Sequence, residues 1–398
     1  MTDFVENFMN NASAATPHAP IPSRDSSIDI ARGIGIILVI VGHIASIAPS
    51  WQTFISTFHM PFFFIMSGLL LCMKHEETRS MRALVKRKLR TIMLPYLFFS
   101  VADVLFFFIY TQLSFMIFGD PIPPLTPFFE QNLIYTLTLF GISVLWFLPA
   151  LFGAELVFLV MRKNVSNLVT VMNITALTVI AYFGQTHLNT PEAAAALGTS
   201  ALFFHALIRM IYGSFFVMIG YEWHLLQEHF SKKQHDTNSV LNVTDSVNTP
   251  TCTRALITFV IGLCLMIVGS ILGFINGPTD LRSLYILLPY LYFPAAILMS
   301  IGLILICKSF SGVSDFILFR ICQFYGRETL TVMCTHLDWY LLYLGSIFAA
   351  YAIKLYPIQA LRLTVHTGLI TGFVLVLEFM LICIKNQLKK KLFTKKSL

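Results

Sequence analysis

Long uninterrupted apolar runs constrain this chain before anything else does. The stretches IGIILVIVG, MPFFFIM and LITGFVLVL show none of the polar–apolar alternation of a half-buried strand. About 20 apolar residues carry a helix across a bilayer, and about ten such segments can be drawn, at 28–47, 54–73, 92–118, 134–161, 165–183, 199–223, 255–276, 284–307, 328–349 and 363–384. A membrane β-barrel would instead show segments of about ten residues with a period of two. Composition agrees: 56% of the 398 residues are hydrophobic and only 12% charged, against about 25% charged in a soluble domain. The expected fold is an all-α, polytopic membrane helix bundle of about ten transmembrane helices.

The net charge of +7 is explained by where the basic residues fall. With a cytoplasmic N-terminus, the second-to-third connection holds Lys74, Arg79, Arg82, Lys86, Arg87, Lys88 and Arg90. Later connections on that side hold Arg162 and Lys163, then Lys232, Lys233 and Arg254, then Lys308, Arg320 and Arg327. The opposite side receives Arg282, Lys354 and Arg362. By the positive-inside rule both termini are cytoplasmic. The chain then divides into a flexible cytoplasmic leader at 1–27, a bundle at 28–384 with a mobile Asn/Ser/Thr-rich cytoplasmic loop at about 227–253, and a basic tail at 385–398. The tail reads as a topology and lipid-headgroup signal; membrane lipids are expected partners and nucleic acid is not. The seven cysteines (Cys72, Cys252, Cys264, Cys307, Cys322, Cys334 and Cys383) match no zinc or redox spacing and read as packing residues.

Ionisable groups inside a bilayer are costly and point to function. The first span, DIARGIGIILVIVGH, carries Asp29, Arg32 and His43. Arg32 and His43 are eleven residues apart, about three turns and ~16 Å, so they share one helix face. Gly35 and Gly42 lie on that face and admit a close neighbour, and Asp29 and Arg32 form an i,i+3 pair. His59 in the second span matches His43 in depth, and Pro61 beside it frees a carbonyl. No metal site is expected, because neither HExxH spacing nor a supporting carboxylate accompanies the two histidines. Further along, Asp103, Glu155, His205, Arg209, Glu222, His336 and Asp338 together imply a hydrated interior. Arg209, in mid-span, requires a carboxylate, a carbonyl or water.

These residues resemble the acyltransferase 3 family of integral membrane O-acyltransferases, particularly its fucose 4-O-acetylase-like and nodulation-factor acetylase-like members. The resemblance is carried by Asp29, Arg32, Gly33 and His43, by Phe58-His59-Met60-Pro61-Phe62 and Ser67-Gly68, by Lys86-Arg87-Lys88-Leu89-Arg90 leading into Leu94-Pro95-Tyr96, by Leu145-Trp146-Phe147-Leu148, and by Gly326-Arg327-Glu328 with His336. Glu328 departs from the Ser or Asn usual in the family, and an appended hydrolase-like domain is not expected.

The resemblance implies transfer of an acetyl or other short acyl group from cytoplasmic acyl-CoA to a sugar hydroxyl of a cell-surface glycan or its lipid-linked precursor, in the plasma (inner) membrane. Acyl-CoA is then a donor substrate, and no cofactor is bound. His43 is the expected general base, Arg32 a holder of phosphate or carbonyl oxygen, and Asp29 the group that orients Arg32. Arg87 and Lys88 are expected to anchor the CoA phosphates. His59, Trp146, Arg209 and His336 are expected to hold substrate or an oxyanion. A homo-oligomer is compatible with the sequence. The alternative class is a transporter or flippase with an intramembrane His/Asp/Arg path, against which stand the six-plus-four division of spans and the absence of a repeat.

Overall fold

The computed structural model of the chain describes residues 25–163, 165–188, 190, 192, 196–240, 251–313, 315–355 and 362–394. Residues 1–24 of the expected leader, 241–250 of the expected loop and the last four of the tail lie outside the described residues. The chain opens with α1 (Ser26–Gly42), α2 (Pro49–Met73), α3 (Met81–Lys88) and α4 (Leu94–Phe118), followed by α5 (Leu125–Leu137), α6 (Phe147–Arg162), α7 (Asn167–Leu188) and α8 (Ser200–Val240). It ends with α9 (Thr251–Asn276), α10 (Pro289–Ser309), α11 (Ile317–Arg327), α12 (Thr329–Thr335), α13 (Leu341–Leu355) and α14 (Arg362–Thr394). Among the described residues 8 helical stretches are long and apolar enough to cross a membrane. This is an all-α polytopic membrane bundle.

α2 is the central helix and packs against α1, α8, α9 and α10. Phe58, Phe62, Phe64 and Ile65 bury its faces in protein. Peripheral helices do the opposite: Leu97, Phe98 and Val101 of α4, and Leu256, Val260 and Ile261 of α9, stand exposed where lipid would cover them. Two glycine pairs set the closest crossings. A Cβ at Gly33 would lie 1.9 Å from the Cys322 carbonyl oxygen, and one at Gly326 1.9 Å from that of Asp29, which brings α1 against α11. Gly68 and Gly220 do the same for α2 and α8, each facing a partner carbonyl at 1.8–1.9 Å. Small residues give membrane helices the van der Waals contact that no hydrophobic effect supplies inside lipid.

Several expected spans change form. α1 is capped at its start by the Asp25 side chain, which accepts from the Ser27 amide at 2.9 Å, and it ends at His43 rather than near residue 47. The expected fourth span, 134–161, is broken between α5 and α6. Gly141 turns there with φ +82, against the Trp146 backbone, and Ser143–Trp146 form a single 3-10 turn. The expected ninth span, 328–349, is broken at Glu328 and again at 336–340, where Tyr340 has φ 58. Hydropathy averages over such interruptions, so each had read as one helix. α8 runs on through Val240, beyond the expected end near residue 223, and α14 carries the first part of the basic tail to Thr394.

Gly68→Val is expected to force α2 and α8 apart, at a cost of at least about 1–3 kcal/mol. Thermal unfolding of the purified protein in detergent would show it as a lowered midpoint. Gly184→Ala, whose Cβ meets nothing within 4 Å, should leave the midpoint unchanged. Equal midpoints for the two variants would show that the α2–α8 crossing is not tight.

Candidate active site

The helical period places Arg32 and His43 on one face of α1, and a second, much shorter helix runs along that face. α12 holds Thr329, Met333 and His336 at successive turns, the i, i+4 and i+7 positions. At one end Arg32 Nη2 donates to Thr329 Oγ1 at 2.6 Å, and the same hydroxyl donates to the Gly326 carbonyl at 2.9 Å. At the other end the ring of His336 meets that of His43 edge-on, with centroids 5.1 Å apart. Arg327 Nε reaches Asp29 Oδ2 at 3.2 Å, giving the buried Asp29 a cation from α11.

The tautomer of His43 follows from its partner. Nδ1 lies 2.8 Å from the Val39 carbonyl oxygen. A carbonyl can only accept, so Nδ1 carries the proton and Nε2 keeps a lone pair. His59 on Ile55 and His336 on Val332 repeat the arrangement at 2.8 Å each.

Three cavities follow one another through the bundle. The first, about 240 Å³, is lined by His43, His59, Gln52, Ser56 and Trp146, with Asp280 and Arg282 from the α9–α10 connection. Polar and apolar surface contribute about equally to its wall. The second, about 160 Å³, is lined by Arg32, Ser67 and Thr329 among apolar side chains such as Phe63, Phe147 and Leu148. Its neighbour, about 310 Å³, shares Ser67 and Leu70 with it and carries Lys74, Arg87 and Lys88 together with Glu76 and Glu155.

The other expected site residues are distributed as follows. Arg87 is paired with the buried Glu76, and Lys88 Nζ lies 2.7 Å from Glu155 Oε2. Glu155 also accepts from Ser67. Arg209 is fully buried on α8; its Nη1 donates to the Phe140 carbonyl at 2.8 Å, and its guanidinium lies over the rings of Phe140 (4.2 Å) and Trp146 (5.5 Å). It therefore ties down the 138–146 break and backs Trp146 instead of facing the cavity. His336 is wholly buried behind His43. No group of three His, Cys, Asp or Glu side chains is placed to hold a metal ion among the described residues. Thr329, Met333, Asp280 and Glu76 escaped the sequence reading; a threonine or methionine in an apolar run carries no signal of its own.

The described residues thus form a multi-pass helical bundle with three adjoining cavities, one holding paired charges, one Arg32 and one His43. The profile of the family described as an acyltransferase domain matches residues 25–385, nearly the whole chain. The chain belongs to the acyltransferase 3 family and is a membrane acyltransferase. No curated protein and no solved structure matches it.

The Lys88–Glu155 pair is almost completely buried, with 11% and 4% of its side chains exposed. Removing one member of such a pair strands the other charge, at a cost of about 3–5 kcal/mol. Glu155→Leu alone should therefore be strongly destabilising, and Lys88→Met with Glu155→Leu should recover most of the loss. Denaturation midpoints of the four proteins in a double-mutant cycle test this, and additive effects would count against it.

Proposed function

We propose that this acyltransferase moves an acetyl or other short acyl group from acyl-CoA to a hydroxyl of a cell-surface glycan or its lipid-linked precursor. The observation that supports this reading best is the alignment of Arg32 and His43 on one face of α1, each lining one of two adjoining cavities, the His43 cavity the more polar of the two. The cavity that holds Lys74, Arg87 and Lys88 would meet the phosphates of CoA, which compete there with Glu76 and Glu155 for Arg87 and Lys88. The narrow, mostly apolar Arg32 cavity suits the pantetheine arm, with Arg32 beside a phosphate or an amide carbonyl oxygen of that arm. The polar His43 cavity, walled by Trp146 and supplied with Gln52, Ser56 and His59, suits a sugar.

In this mechanism the lone pair of His43 Nε2 takes the proton of the acceptor hydroxyl as its oxygen attacks the thioester carbonyl. The tetrahedral adduct collapses, the C–S bond breaks, and the thiolate of CoA leaves with the proton that His43 returns. Val39 holds the ring in the required tautomer through Nδ1. His336, edge-on behind it, limits ring rotation. Asp29 acts from α1 together with Arg327 to set the entry at Arg32. Donor access from the cytoplasm, with both termini on that side of the inner membrane, follows from the basic residues gathered at the CoA end.

His43→Ala and Arg32→Ala are expected to insert and fold, yet to lose at least about a hundredfold in transfer rate, the usual contribution of a positioned base. Mass spectrometry of surface glycans from cells with and without the gene reads the product directly, as one acyl mass per modified residue. Unchanged glycan masses, or wild-type CoA release by purified His43→Ala, would refute this function.

A further inference from the structure

The two cavities that contain Arg32 and His43 meet at a single side chain. Of the residues lining them, Met333 alone is common to both, and it is 4% exposed. Its backbone is held at both ends. One turn earlier Thr329 bonds Arg32, and one turn later His336 packs on His43. α12 cannot slide along α1 without breaking one of these contacts. Each cavity also carries one of two consecutive aromatic residues, Trp146 in one and Phe147 in the other, and both are buried. Within this fixed frame an unbranched thioether with three rotatable bonds is the adaptable element.

Resting on the donor reading above, we propose that Met333 is the specificity-determining residue that gauges the acyl group passing from the Arg32 cavity to the His43 cavity. For Nε2 of His43 to serve the acceptor, the acyl carbonyl must stand in the polar cavity while the pantetheine remains in the apolar one. The group that crosses the junction is the acyl chain, leading end first, and its cross-section must fit beside the Met333 side chain. A linear two-carbon group passes easily. A branched group meets the thioether and the indole together, and a difference of one methylene in such a constriction is worth about 10–200-fold in kcat/KM.

The test uses membrane vesicles from expressing cells, which carry the native acceptor, supplied with acetyl-CoA or isobutyryl-CoA. CoA thiol release is measured above the background of His43→Ala vesicles. Met333→Ala is expected to raise the isobutyryl-to-acetyl ratio of kcat/KM at least tenfold. Met333→Trp is expected to cut the acetyl rate at least tenfold, while free CoA still competes with the donor as in the wild type. A residue that merely filled space would lower both donors alike. Met333→Val provides a milder widening if the alanine variant does not fold, and its ratio should move in the same direction. An unchanged ratio in the widened variants, with wild-type vesicles active, overturns the inference alone. If wild-type vesicles release no CoA from either donor, the donor reading fails and this inference fails with it.

Discussion

A backbone carbonyl that has left its helix must find a donor before it can sit at membrane depth, and the architecture of this protein turns on one such bond. Between α5 and α6 the chain unwinds, and the guanidinium of Arg209 reaches from α8 to the Phe140 carbonyl. Burying an arginine is costly, but here the charge replaces the lost helical partner and lies over two aromatic rings. The unwound segment can then hold Val144 and Trp146 in the wall of the polar cavity. A second break, at 336–340, closes on the first. The α12 helix before it packs on the Ser143–Trp146 turn, and Trp339 Nε1 donates to Asp103 at 3.0 Å. Irregular backbone in a bilayer survives only where protein or a cavity surrounds it, and both conditions hold here.

The cavities exist because the helices around them were brought close in some places and kept apart in others. Gly33 against α11 and Gly68 against α8 draw backbones into contact, and Pro61 leaves α2 without one rung of its ladder near His59. A π-turn at Leu89–Met93 joins the basic helix α3 to the lipid-facing α4. It lets one continuous element present Arg87 and Lys88 to a cavity and Leu97 and Phe98 to the bilayer. Such turns are rare and are common at functional sites.

Much of this was legible in the sequence, for reasons that also mark the limit. The eleven-residue interval between Arg32 and His43 survives any uncertainty in helix ends, because the period of an α-helix is fixed. The equal depth of His43 and His59 came from counting along two adjacent helices, and both line one cavity. Arg209 was read as needing a carboxylate, a carbonyl or water, and a carbonyl is one partner it has. The breaks were not legible, since Leu, Phe and Val dominate on either side and hydropathy is blind to φ. Thr329, 297 residues from Arg32, was hidden by distance along the chain. That Glu76 and Glu155 fold back upon Arg87 and Lys88 was hidden too, because no local pattern reveals it.

The histidine hydrogen bonds have a consequence for recognition. Each imidazole that lines the polar cavity has surrendered its only proton to its own helix, His43 to Val39 and His59 to Ile55. What α1 and α2 show to an occupant is therefore a pair of lone pairs. Moving either proton to Nε2 would set a lone pair against a carbonyl, and turning either ring over would lose the hydrogen bond, so the polarity of those two rings is locked. A hydroxyl that reaches these two rings finds acceptors waiting there, whereas a carbonyl in its place finds no donor on either ring. The wall sorts its visitors by where their hydrogens are.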